Sequence, residues 1–175
     1  MLRDEVIIAF SKTPYPGDEA LTACSCDECR GEVSRFEGKK WSRLSLQDLR
    51  EGDCGASIPS LTPTAFHYFL PGLLIVALDN PDIQTLLLGR VIRRLVVSDR
   101  AGEARRRNVE QIHKRLSSRQ RQVLVDVMRQ VEDSVPHDPV TWNSALGNLI
   151  GGTVIPYSQA SADLWLQERL REIGS

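Results

Sequence analysis

The stretch "LTPTAFHYFLPGLLIVALDNPD", residues 61–82, decides the fold. Its large apolar residues recur at steps of three and four, which places them on one face of a helix. They are Phe66, Phe69, Leu70, Leu73, Leu74, Ala77 and Leu78. Thr62 is a good N-cap, and Pro63 suits the first helical position, where a missing N–H costs nothing. The pattern therefore predicts a buried helix from Pro63 to about Asp79, before the turn formers "DNPD".

Pro71 lies inside this apolar pattern. In an ordinary helix a proline costs about 3 kcal/mol, because it lacks the N–H that would bond to the carbonyl of His67 and its ring presses on the preceding turn. The apolar spacing nevertheless continues on both sides of it. We therefore predict one central helix, kinked at Pro71 and retained by burial.

Apolar residues at helical spacing recur along most of the chain and predict further helices. The second, over residues 82–97, forms with the first a helical hairpin at the centre of the core. Ser117 and Gln120 have the spacing of a capping box and predict that another helix begins there. Helices are also predicted over residues 103–116 and 158–173. Residues 3–10 suit a helix or a short strand, and we prefer the helix because the chain offers a strand no partners.

Residues 136–157 lose this pattern, since prolines and glycines interrupt it. We predict a long, loop-rich connection there, with one short helix near residues 142–149. The length of 175 residues and the hydrophobic content of 41% suit one globular domain. The predicted fold class is all-α: a single-domain helical bundle over residues 1–175, with a helical hairpin core and a kinked central helix.

No segment has the pattern of a signal peptide or a membrane span. The apolar run at residues 6–10 is too short for a signal-peptide core, and the longest apolar stretch, residues 69–78, falls far below the ~20 residues that cross a bilayer. We therefore expect a soluble, cytoplasmic protein without a membrane partner.

The net charge of −1 hides a segregation of charge along the chain. Residues 1–89 hold 8 basic and 13 acidic residues, residues 90–121 hold 11 and 3, and residues 122–175 hold 3 and 7. The central block is mostly arginine, whose planar fork engages phosphate or carboxylate in paired hydrogen bonds. Its candidate binding residues are Arg94, Arg105, Arg106 and Arg107. A solvated helical face is the alternative that we prefer, because charged helix faces are common.

Three cysteines fall within six positions in "CSCDEC", residues 24–29. Cys26 and Cys29 have the spacing of half a structural zinc site, which needs four ligands. Cys24 stands too near Cys26 to be an easy third ligand, and Cys54 is remote. A metal site and a redox pair are therefore alternatives. The preferred interpretation is free thiols at the start of a short helix in a reducing compartment, with no cofactor.

Enzyme motifs are not found in the sequence. It has no zinc-protease pair of histidines, no phosphate-binding loop with its lysine and no nucleophile elbow, so an enzyme is the less favoured interpretation. Tyr15, stiffened by a proline on each side, is a candidate binding anchor. It suits equally a lid that closes the helical core, which is the interpretation that we prefer.

Three stretches of the first half of the chain share a recognisable pattern: "PYPGD" at 14–18, "CDECRGEVSRFEGKKW" at 26–41 and "LTPTAFHYFLPGLL" at 61–74. Together they resemble a bacterial family of small domains of unknown function. The matching positions are Pro16, Gly17, Asp18, Cys26, Cys29, Phe36, Gly38, Lys39, Trp41, Leu61, Pro63, Ala65, Phe66, Tyr68, Leu70 and Pro71. The resemblance ends near residue 80. It implies a bacterial, cytosolic helical domain and transfers no activity.

These observations lead us to expect a non-catalytic bacterial interaction protein. Its most concrete form is an immunity-type protein that neutralises a cognate toxin or effector by occlusion. Two alternatives stay open. One is a nucleic-acid-binding protein that uses the arginine-rich segment 90–121, and the other is a metal-dependent protein that uses Cys26 and Cys29.

Overall fold

The computed structural model describes residues 1–50, 58–132 and 139–158, together with Ser161 and Gln167. Within these residues the chain forms α1 Leu2–Phe10, α2 Asp27–Val33, α3 Leu46–Arg50, α4 Pro63–Asp79, α5 Pro81–Leu95, α6 Glu103–Arg115, α7 Ser118–Val131 and α8 Pro139–Gly151. Short 3-10 helices occupy Asp18–Ala20, Ser34–Phe36, Trp41–Arg43 and Ile58–Ser60. The prediction of an all-α fold is confirmed. None of the described helices combines the length and apolar character needed to cross a bilayer.

Helix α4 lies at the centre of the core, as predicted. The Thr62 hydroxyl accepts a hydrogen bond from the Ala65 N–H at 3.1 Å, and Pro63 opens the helix. From Ala65 to Ala77 most of its side chains are buried. Helices α1, α5 and α6 and the 3-10 helix Trp41–Arg43 pack around it. A helix that is apolar on nearly every side is stable only when it is enclosed in this way.

Helix α4 continues without a break through Pro71, which is buried. At the next residue the backbone of another segment comes unusually near, since a Cβ on Gly72 would stand 2.4 Å from the carbonyl oxygen of Trp41. The Pro-Gly pair therefore marks the place where residues 41–44 lie directly on the backbone of α4. The kink at Pro71 stays a prediction.

The predicted helical hairpin is formed by α4 and α5, which pack against each other. The predicted capping box of α7 is also present: the Ser117 hydroxyl accepts from the Gln120 N–H at 3.2 Å, and Gln120 Oε1 accepts from the Ser117 N–H at 3.0 Å. Residues 2–10 form a helix, so the preference for helix over strand is confirmed. The segment 158–173 falls almost wholly outside the described residues.

Gln120 joins three helices at once, although it is only 7% exposed. Its Oε1 also lies 3.2 Å from Nε2 of His67 in α4, and its Nε2 donates to the Ala9 carbonyl of α1 at 3.2 Å and faces Thr13 Oγ1 at 3.4 Å. Burial lowers the pKa of His67, so the imidazole is neutral at pH 7 and donates its Nε2–H. A buried amide is stable only when its polar atoms are paired, and here the partners come from α1, α4 and α7.

The short helix predicted near residues 142–149 is present but longer than predicted, so the described part of the segment 136–157 contains less loop than expected. The 13-residue helix α8 occupies Pro139–Gly151 and packs on α5 and α7. Its buried residues Trp142, Ala145 and Leu149 follow a helical spacing. Pro139 stands at the first helical position, where proline is tolerated, so it marks the start of a helix. Beyond α8, Tyr157 forms an isolated parallel bridge with Ser98.

Candidate metal centre

The cysteine segment lies at the start of α2. Cys26 is the N-cap of this helix, and its Sγ accepts a hydrogen bond from the backbone N–H of Cys29 at 3.4 Å. Asp27 and Glu28 occupy the first turn, where carboxylates are favoured by the positive end of the helix dipole. The prediction of a short helix that opens at the cysteines is confirmed.

Cys24 joins the other two cysteines, contrary to the expectation that it stands too near Cys26. The Sγ atoms of Cys24, Cys26 and Cys29 all lie within 4.8 Å of one another, and those of Cys24 and Cys26 are 2.9 Å apart. Residues 24 and 25 belong to no helix, and the Cys26 backbone is extended. Cys24 is therefore not held to helical spacing, and its thiol reaches the pair. The signal that sequence reasoning missed is the combination of Cys-x-Cys with Cys-x-x-Cys.

The spacing of the three sulfurs fits one tetrahedral metal ion after small adjustments. Zinc binds thiolate at about 2.3 Å, so two sulfurs on one ion stand about 3.8 Å apart. The Sγ atoms of Cys24 and Cys26 are 2.9 Å apart, and no two of the three Sγ atoms are more than 4.8 Å apart. Both distances differ from the ideal value by about 1 Å. Cys24 and Cys26 are exposed, and rotation of their side chains meets little resistance. The arrangement can therefore hold a soft metal ion with three thiolates.

The hydrogen bonds of the cluster favour the thiolate of Cys26 over that of Cys29. A hydrogen bond from the Cys24 thiol, followed by bonds from the backbone N–H and the thiol of Cys29, lowers the pKa of Cys26. Hydrogen bonds of the Cys29 thiol, first to Cys24 and then to Cys26, raise the pKa of Cys29 to about 12. A metal ion would replace the shared protons, because the thiolate is the form that ligates metals.

A cavity of about 460 Å³ adjoins the cluster at Cys24. Its wall includes the carboxylates of Asp18, Glu19 and Glu37 and the guanidinium of Arg30. Carboxylates outnumber cations in this wall, so the field beside the thiols favours a positive charge.

Tyr15 is bonded to Asp18 of the cavity wall, and its ring packs into the protein. Its Oη donates to Asp18 Oδ1 and accepts from the Gly38 N–H at 3.0 Å. Its ring packs edge-on against Tyr68 and Phe69, with centroids 5.1 and 6.4 Å away. Burial, followed by the hydrogen bond to Asp18, raises the pKa of Tyr15 to about 12. Ring and hydroxyl are both engaged within the protein, which favours the lid interpretation over the binding anchor.

Arg94 is only 5% exposed and serves the core. Its Nη2 donates to the Leu61 carbonyl at 2.7 Å, and its guanidinium carbon lies 5.3 Å from the centre of the Phe66 ring. Burial, with Arg105 as a smaller cause, lowers the pKa of Arg94 to about 10. The guanidinium of Arg94 is therefore engaged in the core and is not accessible to an external partner.

The three consecutive arginines 105–107 do not share one face. Arg105 is half-buried and donates to the Arg93 carbonyl, while Arg106 donates to the carbonyls of Ala101 at 2.9 Å and Asp99 at 2.5 Å. Only Arg107 is exposed, in an ion pair of 2.9 Å with Glu103. Among the four candidate arginines of the segment 90–121, three bond to backbone carbonyls within the protein and one is exposed to solvent. The four therefore do not form a continuous basic surface.

Comparison with known families covers most of this structure. The model described as a family of unknown function, DUF6714, matches residues 23–147, from the loop before α2 into α8. It includes the three clustered cysteines and extends well past residue 80, where the resemblance recognised from motifs ends. No curated protein and no solved structure matches the chain. Because the family model matches more than half of its residues, the chain belongs to the family of unknown function DUF6714.

Proposed function

We propose that this protein is a non-catalytic metal-binding protein, in which the thiolates of Cys24, Cys26 and Cys29 hold a Zn²⁺ ion. The single observation that carries the proposal is the convergence of three Sγ atoms within 4.8 Å. Thiolates select soft and borderline ions, and zinc is the commonest of these in sites built from cysteine. We also propose a cytoplasmic location, where reducing conditions keep such thiols available.

The place of the site in the fold gives the ion a structural effect. The loop that carries Cys24 follows directly on Ala20 and Leu21, which are tied to the start of α4: the Thr62 hydroxyl donates to the Ala20 carbonyl at 2.7 Å, and the Thr62 N–H donates to the Leu21 carbonyl at 2.8 Å. An ion that fixes the loop against α2 therefore also supports the N-cap of the central helix. Metal binding should raise the stability of the folded chain, because a ligand that binds only the folded state stabilises it.

Zinc titration of the reduced, metal-free protein tests this proposal. We expect one Zn²⁺ per chain, bound tightly enough to compete with a chromophoric chelator, and a rise in melting temperature on binding. Cys26→Ser should weaken binding by about 100-fold or more, since even the groups that orient metal ligands contribute 10–100-fold. Ser25→Ala changes the residue between two ligands without removing a thiol and serves as the matched control. Equal affinity of Cys26→Ser and the wild-type protein would contradict the proposal.

We propose an interaction with a protein partner as a second function, in the form of an immunity-type protein that binds a toxin or effector. One observation favours it: Ile150 and Ile155 are 65% and 64% exposed, and Ile150 lines an open cavity of about 500 Å³ with Leu149 and Val125. An exposed apolar side chain beside a groove, as at Ile150, is a feature of interaction sites.

Capture of a partner by the tagged protein, with and without nuclease, tests this second function. We expect one partner that survives nuclease, is retained by Leu86→Ser and is lost from the double variant Ile150→Ser, Ile155→Ser. Leu86 is an exposed apolar residue on α5 and is the matched control. Material lost on nuclease treatment would contradict the protein partner and favour nucleic-acid binding through exposed arginines such as Arg107, Arg115 and Arg119.

A further inference from the structure

We infer that the three-cysteine cluster binds trivalent arsenic, which it takes up from arsenite and holds through Cys24, Cys26 and Cys29. The inference rests on the thiol cluster of the proposed function and names a second ion for the same site. Three sulfur atoms converge within 4.8 Å, and no other His, Cys, Asp or Glu of the described residues adds a ligand atom to the group. An ion that prefers sulfur and needs only three ligands therefore finds all of them in the cluster.

The number of ligands favours arsenic over zinc. A tetrahedral zinc ion has four ligands, so three thiolates leave one position for water or another group. Trivalent arsenic keeps a lone pair of electrons in the fourth tetrahedral direction, and three bonds complete its coordination. Soft ions select thiolate ligands. The set of sulfurs that is one ligand short for zinc is therefore complete for arsenic.

The spacing of the sulfurs suits a pyramidal ion. The lone pair of arsenic presses its three bonds together, so sulfurs bound to it stand closer to one another than the ~3.8 Å between two sulfurs on zinc. The Sγ atoms of Cys24 and Cys26 are 2.9 Å apart and already lie on the short side of that value. Cys29, in the first turn of α2, is tied to Cys26, whose Sγ accepts its N–H at 3.4 Å. Rotation of the exposed side chains of Cys24 and Cys26 completes the pyramid.

The charge around the cluster also favours arsenic. Exchange of three thiol protons for one Zn²⁺ changes the charge of the cluster by −1, whereas exchange for trivalent arsenic leaves it unchanged. The wall of the adjoining cavity carries the carboxylates of Asp18, Glu19 and Glu37 against the guanidinium of Arg30. A negative complex is disfavoured beside such a wall. Arsenite is the uncharged As(OH)₃ at neutral pH, so these carboxylates do not repel it.

Uptake is an exchange of ligands without oxidation or reduction. One As(OH)₃ reacts with three thiols: three As–O and three S–H bonds break, three As–S bonds form, and each proton leaves with a hydroxyl as water. Arsenic stays trivalent and the sulfur atoms keep their oxidation state, so the step needs no further reactant. Cys24 and Cys26 are exposed, and arsenite reaches them directly from solvent.

Titration of the reduced, metal-free, full-length protein with sodium arsenite tests the inference. Mass spectrometry of the product should show one arsenic atom per chain and the loss of three hydrogens. Arsenic held by two thiols would instead keep a hydroxyl, and only two hydrogens would be lost. Arsenite in equal amount, added to the zinc-loaded protein, should release the Zn²⁺ to a chromophoric chelator.

Cys24→Ser is the decisive variant, because it keeps the pair Cys26 and Cys29 and changes an exposed residue that lies in no helix. Arsenite affinity should fall by about 100-fold or more, since even the groups that only orient metal ligands contribute 10–100-fold. Ser25→Ala is the matched control and should bind arsenite like the wild-type protein. Circular dichroism checks that both variants are folded. Equal affinity of Cys24→Ser and the wild-type protein, or a product that has lost only two hydrogens, would overturn the inference.

The two proposals for this cluster fail separately. Zinc binding without arsenite binding would overturn this inference and leave the proposed function intact. Arsenite binding without zinc binding would support this inference and overturn the zinc proposal. Failure of both ions to bind would overturn both.

Discussion

Gly72→Ala is expected to lower the free energy of unfolding by about 3 kcal/mol, the upper end of the range for overpacked core positions. The added Cβ would stand 2.4 Å from the carbonyl oxygen of Trp41 and 3.2 Å from Cβ of Leu44. The nearest atom belongs to a backbone, so the clash cannot be relieved by rotation of a side chain. Either α4 or residues 41–44 must move, and both lie against the core. Urea unfolding followed by circular dichroism measures the change.

Gly89→Ala is the matched control, because Gly89 also lies inside a long helix and nothing stands within 4 Å of a Cβ built there. The variant should be more stable than the wild-type protein by about 0.5–1 kcal/mol, since alanine restricts the unfolded chain and favours helix. The two substitutions are chemically identical and should have opposite signs. Equal stabilisation by both would mean that the Trp41 carbonyl does not lie on α4.

Arg94→Ala is expected to lower the free energy of unfolding by a similar amount, about 3 kcal/mol. The substitution removes a charge-assisted hydrogen bond to the Leu61 carbonyl, together with the packing of the guanidinium on Phe66. Such a bond contributes about 1.5–3 kcal/mol, and the buried carbonyl left without its partner adds a desolvation cost. The variant should also lose order at residues 58–61, which Arg94 ties to α5, so hydrogen exchange of the Leu61 and Thr62 amides should accelerate.

Arg93→Ala is the control for the loss of charge and of helix surface, because Arg93 is the exposed neighbour of Arg94 in α5. Its substitution should change stability by no more than about 0.5 kcal/mol. Arg94→Met separates packing from hydrogen bonding, since it keeps much of the side-chain volume. If Arg94→Ala lowered the free energy of unfolding by no more than Arg93→Ala, the structural role of Arg94 would be contradicted.

The helices were predictable where apolar spacing and capping residues agreed. The segment 61–82 specifies α4 because Thr62 and Pro63 fix its start and "DNPD" fixes its end, and Ser117 with Gln120 does the same for α7. Helix α8 extends beyond the short helix predicted near residues 142–149, because proline at a first helical position is tolerated and Gly147 is accommodated within the helix. The prolines and glycines of this segment obscure the helical spacing of Trp142, Ala145 and Leu149.

The candidate site was predictable only in part. The spacing of Cys26 and Cys29 was visible, but the inclusion of Cys24 depends on an extended backbone at Cys26, which sequence spacing does not reveal. The arginine segment shows the opposite case, because net charge along a chain does not tell which guanidinium groups point inward. Arg94, Arg105 and Arg106 donate hydrogen bonds to backbone carbonyls. These contacts depend on the tertiary structure and are not visible in the sequence.

The hydrogen bonds of Gln120 bear on the order in which the chain folds. A capping box alone is local and can form early, but this one includes a side chain whose remaining atoms need Ala9, 111 positions away, and His67, 53 positions away. Until α1 and α4 have packed against α7, the amide of Gln120 lacks these partners and forms more favourable hydrogen bonds with water. The first turn of α7 therefore gains its full stability only in the last stage of assembly, and fraying of the helix and opening of the bundle become a single cooperative event.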